Sequence, residues 1–319
     1  MIRVLLSLAL ALSAPAALAQ GDFPNRPVRI VNPFPPGAAN DILARIIANK
    51  LTERWKQPVL VENRTGAAGN IGMDHVAKSA PDGYTYVIGA NTMAMVPWLH
   101  QNLGFDMRRD FAPVVYIADV PGVVTVTPSF PAANLRDLVA YAKANPGKVS
   151  YASSGPGSPQ HIAAEFFNAL TGIQTLHVPY KGAAPSWAAV MSGEVNLTFG
   201  AVSSALPLIR AGKLKALAAG STKRLTLLPE LPTAAEAGVP GYDFGFWYGI
   251  FAPARTPKEA VTRFQDDTLR ILQEPEIREK LIPQGFELVG APAPVLGELL
   301  ERDLERWGKV IRAAKISSD

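Results

Sequence analysis

Apolar residues recur at helical spacing in several segments of this chain, and short β-branched runs separate those segments. One face of a predicted helix over 41–55 carries the apolar residues Ile42, Leu43, Ile46, Ile47, Leu51 and Trp55. The runs 27–31 and 58–62 on either side of it are typical of strands. This alternation predicts an α/β fold with a parallel sheet built from right-handed βαβ units.

The rest of the chain continues the same alternation. Further helices are predicted over 72–79, 135–144, 158–170, 183–191, 205–212, 233–237, 257–272, 274–282 and 294–311. Further strands are predicted over 84–89, 114–126, 148–152, 175–178, 195–199, 214–219 and 246–252, the second of them interrupted at Pro121-Gly122.

Two α/β units flank the β-rich runs 114–126 and 214–219. If both runs cross between the units, residues 20–121 and 222–319 form a discontinuous first domain and residues 122–221 an inserted second domain. Two crossing strands make a hinge, which suits closure over a ligand held in the cleft. The length of 319 residues also favours two domains.

The first nineteen residues have the pattern of a secretory signal. Arg3 precedes the apolar run 4–12, and Ala17-Leu18-Ala19 supplies the small residues that a signal peptidase requires. An N-terminal membrane anchor is the alternative, but the apolar run is shorter than the ~20 residues that span a bilayer. We therefore expect a signal peptide over 1–19 and an exported, soluble, periplasmic protein that begins at Gln20.

Composition excludes several kinds of chemistry. The chain has no cysteine, so disulfides, thiolate catalysis and zinc-finger sites are excluded. The net charge is +4 and no run of four basic residues occurs, which gives no support for nucleic-acid binding. The four histidines show no metal-ligand spacing, and we expect neither a metal nor another cofactor.

The loop 32–41 lies between the first predicted strand and the first predicted helix. Its small residues Gly37, Ala38 and Ala39 let a ligand approach the backbone, and the start of the helix directs free N–H groups at it. This arrangement suits a carboxylate. Asn40 or Asp41 could instead cap the helix, or Asp41 could accept a hydrogen bond from the ligand or a water.

The loop 151–161 repeats this arrangement in the second unit. It contains Ser154, Gly155, Gly157, Ser158 and His161, again between a strand and the start of a helix. Two such loops facing each other would clamp one anionic group. A plain turn for the glycines and a core or capping role for His161 are the alternatives.

Two other site types fit this chain less well. The Ser154–Ser158–His161 cluster suggests a hydrolase or transferase as an alternative. However, its sequence lacks the Gly-x-Ser-x-Gly elbow of α/β-hydrolases, and no obvious Asp–His pair follows it in the chain order that this fold requires. The glycines between 62 and 72 are spaced G-x-x-G-x-x-G, unlike the dinucleotide fingerprint. Because the two loops contain no arginine, we expect backbone N–H groups, hydroxyls and water to hold the carboxylate.

Seven stretches, in this order along the whole mature chain, resemble the Bug-type solute-binding receptors of tripartite tricarboxylate transporters. They are PFPPGAAND, VENRTGAAGNIG, YASSGPGSPQHIAAEFF, HVPYKGAAP, ALPLIRAGKLKALA, LPELPTAAEAGVPGYDFGFWYGIFAP and RTPKEAV. The resemblance implies a type II periplasmic-binding-protein fold, with two α/β domains joined by a two-strand hinge. It also implies capture of a small carboxylate in the cleft and delivery to the membrane subunits of the transporter.

The resemblance also carries site residues, position by position. The first loop supplies Phe34, Pro36, Gly37, Ala38, Ala39 and Asp41. The second loop supplies Ser154, Gly155, Gly157, Ser158 and His161. A third cleft segment supplies Tyr180 and Lys181, and an aromatic strand on the hinge side supplies Trp247.

The chain departs from the family pattern at two places that bear on the ligand. The family usually has Gly-Gly where this chain has Gly37-Ala38, and often Asp after the phenylalanine where this chain has Gly200. Loss of an acid removes a partner for a ligand ammonium and favours a plain mono- or dicarboxylate over an amino acid.

A sensor domain without a transport role is a further alternative for the function of the chain. We expect the protein to be a monomer.

Overall fold

The computed structural model describes residues 23–100 and 102–316, so the predicted signal peptide lies outside the described residues. In this part of the chain the strands are β1 (Val28–Asn32), β2 (Val59–Asn63), β3 (Thr85–Ala90), β4 (Phe111–Val126), β5 (Ser150–Ser153), β6 (Leu176–Pro179), β7 (Leu197–Ala201), β8 (Lys215–Ala219), β9 (Gly245–Pro253) and β10 (Glu287–Pro292). The helices are α1 (Ala39–Trp55), α2 (Asn70–Ala77), α3 (Thr92–Leu99), α4 (Leu135–Ala144), α5 (Pro159–Thr171), α6 (Ala183–Ser192), α7 (Val202–Arg210), α8 (Lys258–Gln273), α9 (Pro275–Leu281) and α10 (Ala293–Ala313).

The strands form one continuous, strongly curled sheet in the order β2-β1-β3-β9-β4-β7-β5-β6, with β10 and β8 also paired to β4. Strands β1, β2 and β3 are parallel, as are β5, β6 and β7. The predicted α/β fold is confirmed. The parallel sheet predicted from the strand–helix alternation is present within each unit. Strands β4 and β9 run in opposite directions where the chain passes between the units, and they pair antiparallel.

Strand β4 belongs to both units. Its first part pairs with β9 and β10, whereas Gly122–Val126 pairs with β7 and β8. Pro121-Gly122 therefore marks the change of partners, and the strand continues through it without the predicted interruption. The parallel strands of both units end at the same cleft, where ligand sites of α/β sheets form.

Three backbone segments meet at the crossing. Gly122 N–H donates to Phe244 O (3.0 Å), Phe244 N–H to Gly220 O (2.7 Å), and Gly220 N–H to Gly122 O (2.8 Å). The segment between Gly220 and Phe244 packs on the second unit, where the Tyr242 hydroxyl donates to Ala163 O (3.2 Å). These contacts support placing the second crossing at 244–245, and the domain limits near 121 and 222 stay a prediction.

Two apolar clusters cover the two faces of the sheet. The last helix, predicted over 294–311, is α10, and it buries the apolar residues Leu296, Leu299, Leu300, Leu304, Trp307 and Ile311. Trp247 of β9 also faces α10, and its indole N–H donates to the buried Asp303 carboxylate (2.7 Å). Among the described helices, none is both long enough and apolar enough to cross a bilayer.

Three elements differ from the sequence prediction. Helix α3 was not predicted, because it is apolar on all sides and contains Pro97, so it has no amphipathic period. Strand β10 is short and half-exposed, and it too gave no signal. The predicted helix 233–237 is a single turn, closed by one bond from Ala237 N–H to Thr233 O (2.9 Å) and followed by Gly238 in left-handed backbone geometry.

We predict that Gly122→Ala destabilises the protein by roughly 1–3 kcal/mol, the usual cost of overpacking. A β-carbon at this position would lie 2.5 Å from the carbonyl oxygen of Phe244. Urea unfolding measures the change. Gly297→Ala in α10 is the control, since its β-carbon makes only a 3.4 Å contact with Pro113 and alanine favours the helix. Equal stability of the two variants would contradict a close-packed crossing.

Candidate functional site

A cavity of about 1160 Å³ lies between the two units at the carboxyl ends of the parallel strands. The first unit contributes the loop after β1, the start of α3 and part of β9. The second unit contributes the loop after β5 and the inner faces of α6 and α7. The cavity is thus built by residues far apart in sequence, which the curled sheet brings together.

Five helices begin at this cavity, namely α1, α3, α5, α6 and α7. Their early residues Ala39, Thr92, Pro159, Ala183 and Ser203 all line it. Four of the five have no side-chain hydrogen bond at the N-cap, and only α5 among them is capped, by Ser158. Free N–H groups and the positive ends of the helix dipoles therefore face the cavity, and both favour an anion.

The charged groups around the cavity have the same sign as these dipoles. Of the described residues that line it, Arg210 alone carries a charged side chain, and no Asp or Glu lines it. A carboxylate entering the cavity would thus meet no negative side chain on its walls.

Asp41 braces the first loop from behind. Its carboxylate accepts hydrogen bonds from Gly37 N–H (3.0 Å), Arg45 Nε (2.9 Å) and Asn63 Nδ2 (3.2 Å). Burial raises the pKa of Asp41, but the bonds from Arg45, Gly37 and Asn63 outweigh burial and lower the pKa to about 2. Asp41 therefore fixes the loop as a permanent carboxylate whose charge Arg45 neutralises.

The first loop is also held by two asparagines at the strand ends. Asn32 Nδ2 donates to Phe34 O (3.0 Å) and Phe34 N–H donates back to Asn32 Oδ1 (3.3 Å). Asn63 Nδ2 donates to the same carbonyl (3.2 Å). These bonds use the polar backbone groups of Phe34 and leave its ring at the edge of the cavity.

The second loop is closed by its own histidine. Gly157 N–H donates to His161 Nδ1 (3.0 Å), while Ser158 Oγ accepts from His161 N–H (3.4 Å) and caps α5. The His161 ring stacks on His177 with centroids 4.0 Å apart. Burial lowers the pKa of His161, and burial together with His161 lowers the pKa of His177 to about 4. Both rings are neutral at pH 7, so they shape the loop without adding charge.

The sequence-predicted site residues divide into two groups. Those that line the cavity are Phe34, Gly37, Ala38, Ala39, Ser154, Gly157 and Ser158. Those that do not line it are Pro36, Asp41, Gly155, His161, Tyr180, Lys181 and Trp247. Of the second group, Asp41 and His161 hold the loops that carry the first group.

The remaining positions have specific reasons for facing elsewhere. The Tyr180 hydroxyl donates to Glu194 (2.9 Å), and the Lys181 side chain is exposed to solvent. On β9 successive side chains point to opposite faces, so Phe246 and Tyr248 line the cavity while Trp247 packs against α10. The aromatic strand was thus identified correctly, but the wrong face of it was chosen.

Other cavity residues were missed by the sequence analysis. The face of α7 toward the cavity carries Ser203, Leu206, Pro207 and Arg210, spaced i, i+3, i+4 and i+7. That spacing was readable, but the predicted helix began too late, at residue 205, to include the serine. Arg210 also lines the cavity, whereas the sequence-based expectation concerned only the two loops, which contain no arginine.

Gly200 leaves room for a large side chain of the cavity wall. A β-carbon at Gly200 would lie 2.3 Å from the Trp187 ring, and Trp187 lines the cavity. The family often has an Asp at the position of Gly200. In this chain the Trp187 indole occupies the space beside Gly200, which makes this part of the cavity wall apolar.

The two units also touch beside the cavity. A β-carbon at Gly285, which follows a short 3₁₀ turn (Ile282–Gln284), would lie 3.1 Å from the backbone of Ser203 at the start of α7. Gly285 has φ +91°, which favours glycine as well. This contact closes one side of the cleft.

A family model for the receptors of the tripartite tricarboxylate transporter family matches residues 43–316. The chain belongs to this receptor family. The receptor is 33% identical to Protein BugT of Bordetella pertussis, over 93% of this chain and 92% of BugT. The resemblance to Bug-type receptors is confirmed.

Solved structures of similar chains have the same fold. An R. palustris protein solved with adipate matches the receptor with a TM-score of 0.83 and 38% identity, over 92% of this chain and 99% of that chain. MatC from Rhodopseudomonas palustris with bound malate matches with a TM-score of 0.79 and 31% identity, over 91% of this chain and 100% of that chain. The predicted periplasmic-binding-protein fold of two α/β units is therefore confirmed.

We predict that Asp41→Asn lowers the stability of the receptor at pH 7 by about 1–3 kcal/mol, because Arg45 and Gly37 N–H lose a charged acceptor. The lowered pKa of Asp41 stabilises the fold above about pH 4, and this contribution is lost as the pH falls toward 2. Urea unfolding at pH 7 and pH 3 should show the difference from wild type shrinking at the lower pH. Glu298→Gln, at an exposed carboxylate of α10, is the control, and a pH-independent difference would count against the bracing role.

We predict that Gly200→Ala destabilises the receptor by roughly 1–3 kcal/mol through its clash with the Trp187 ring. Trp187→Phe, which shortens that ring, should recover part of this loss in the double variant. A double-mutant cycle of unfolding free energies checks the coupling, expected at about 1 kcal/mol. Additive effects of the two substitutions would show that the ring does not depend on the missing β-carbon.

Proposed function

We propose that this receptor captures a small organic carboxylate in the cleft between its two units and delivers it to a tripartite tricarboxylate-type membrane transporter. The observation that carries the proposal is the convergence of five helix N-termini, four of them without a side-chain cap, on a cavity whose described walls hold no acid. Such a cavity binds an anion through amides and dipoles.

The carboxylate is clamped between the starts of α1 and α5. Ala38 and Ala39 bring one backbone to the cavity, and Gly157 and Ser158 bring the other. Asp41 and His161 act behind these segments and fix their shape. Ordered water completes the contacts, because these loops present few charged donors of their own.

The family relatives support this ligand class. One similar structure was solved with adipate and another with bound malate, and both ligands are dicarboxylates. The missing acid argues against an amino acid, since an ammonium group inside the cavity would meet Arg210 and no carboxylate among the described lining residues. We therefore place plain mono- and dicarboxylates before amino acids.

The same geometry argues for binding without catalysis. Ser158 Oγ is used as the cap of α5, and His161 Nδ1 accepts from Gly157 N–H. Neither group is paired with the other as nucleophile and base, which the hydrolase alternative requires. Ser153 does lie 2.7 Å from His177, but its side chain is buried and unable to reach a substrate.

Export and closure complete the proposal. The receptor reaches the periplasm by means of the signal peptide 1–19 and works there as a monomer. The units close about the crossing at 121–122 and 244–245, where the connecting backbones are hydrogen-bonded to each other. Contact of Gly285 with the start of α7 belongs to the closed arrangement.

A thermal-shift screen of the mature chain, after unfolding and refolding to remove carried-over ligand, tests this function. The panel holds aliphatic and aromatic mono-, di- and tricarboxylates, acidic amino acids, and the neutral amide of each acid as its control. An acid at ~100 times its dissociation constant should stabilise the chain by ~2.7 kcal/mol, while its amide has no effect. Shifts with the amides only, or with none of the acids, would refute carboxylate capture.

A further inference from the structure

Arg210 lines the cavity from the C-terminal end of α7, about two helical turns beyond the start of that helix. It is the last residue of that helix, on the same face as Ser203, Leu206 and Pro207. Seven residues separate it from Ser203, which is about 10 Å along the helix axis. Long side chains in helices generally lean toward the helix N-terminus, a tendency that directs a side chain at this position back along the cavity-facing side of α7.

Much of the cavity wall that α6, α7 and the first unit form is apolar. Leu206 and Pro207 line it on α7, Trp187 lines it on α6, and Phe246 and Phe286 line it from the first unit. A ligand with a charged group at each end would therefore lie along this wall with its middle section in contact with hydrocarbon groups. The layout matches an anion with an apolar middle section and a second anionic group.

The guanidinium of Arg210 is available for such a group. Within the part of the chain that the structure describes, Arg210 is exposed and has no hydrogen bond, ion pair or ring contact. Arg45, in contrast, is already paired with Asp41 behind the first loop. A guanidinium presents two parallel N–H donors that fit one carboxylate, which makes it the group best suited to recognise a second acid.

We propose that Arg210 is a specificity-determining residue that binds the second carboxylate of an extended α,ω-dicarboxylate. The first carboxylate sits at the starts of α1 and α5, the methylene chain follows the apolar wall, and the second carboxylate meets the guanidinium. This inference rests on the proposed function and assigns its substrate class. Short diacids do not span the two ends, so the preference for a diacid grows with chain length until the second carboxylate reaches Arg210.

Calorimetric titration with matched pairs of acids tests the assignment. Succinate, adipate and suberate are each compared with the monocarboxylate of the same carbon number, namely butyrate, hexanoate and octanoate. In the wild type we expect at least one longer diacid to bind about tenfold more tightly than its monoacid, equivalent to about 1.4 kcal/mol. Arg210→Gln should remove most of this ratio, change monoacid affinity by less than about twofold, and leave the urea midpoint unchanged.

Two further variants isolate the role of the guanidinium. Arg210→Lys keeps the charge without the planar pair of donors and should retain part of the preference for the diacid. Lys213→Gln removes a positive charge three residues further on, from an exposed side chain that does not line the cavity, and should leave both affinities unchanged.

The outcomes separate this inference from the function on which it rests. Equal losses for diacid and monoacid in Arg210→Gln, or no loss for either, would overturn the assignment while carboxylate capture stands. An equal loss of the diacid preference in Lys213→Gln would also overturn the assignment. The preference would then come from the overall positive charge of this region and not from contact with the Arg210 guanidinium. If the wild type binds none of the six acids but another carboxylate shifts its unfolding temperature, the assignment alone is overturned. Carboxylate capture falls as well only if no acid of the thermal-shift panel binds.

Discussion

The close backbone packing at the crossing between the two units determines the rest of this structure. Strand β4 pairs with strands of both units, and Gly122, Gly220 and Phe244 satisfy one another's backbone groups where it passes between them. Side chains at the two glycines would meet the carbonyl oxygen of Phe244. Because this junction fixes both halves of one curled sheet, the carboxyl ends of both sets of parallel strands face the same cleft.

The cleft derives its preference for anions mainly from backbone dipoles. The charges of the two loops are neutralised away from the cavity, as in the Asp41–Arg45 pair, or are absent, as in the neutral His161 ring. Amides hold a carboxylate without the large desolvation cost of a buried ion pair.

The cavity wall outside the two loops has a different character. Trp187 fills the space left by Gly200, and α7 presents an apolar face that ends in Arg210. These residues differ in character from the small residues of the loops. The described part of the cavity therefore combines small residues of the loops with larger apolar side chains and the guanidinium-bearing Arg210.

The sequence by itself determined the α/β fold, most element limits and the two loops that line the cavity, because these depend on local periodicity and on short glycine-rich motifs. It missed α3 and β10, which carry no amphipathic period. Only the tertiary structure decided that Phe246 and Tyr248, not Trp247, face the cavity, and that Asp41 braces its loop from behind. Which side chains of a strand face the cavity, and which distant residues pair, depends on strand register and on packing across the sheet. Local sequence does not specify either of these.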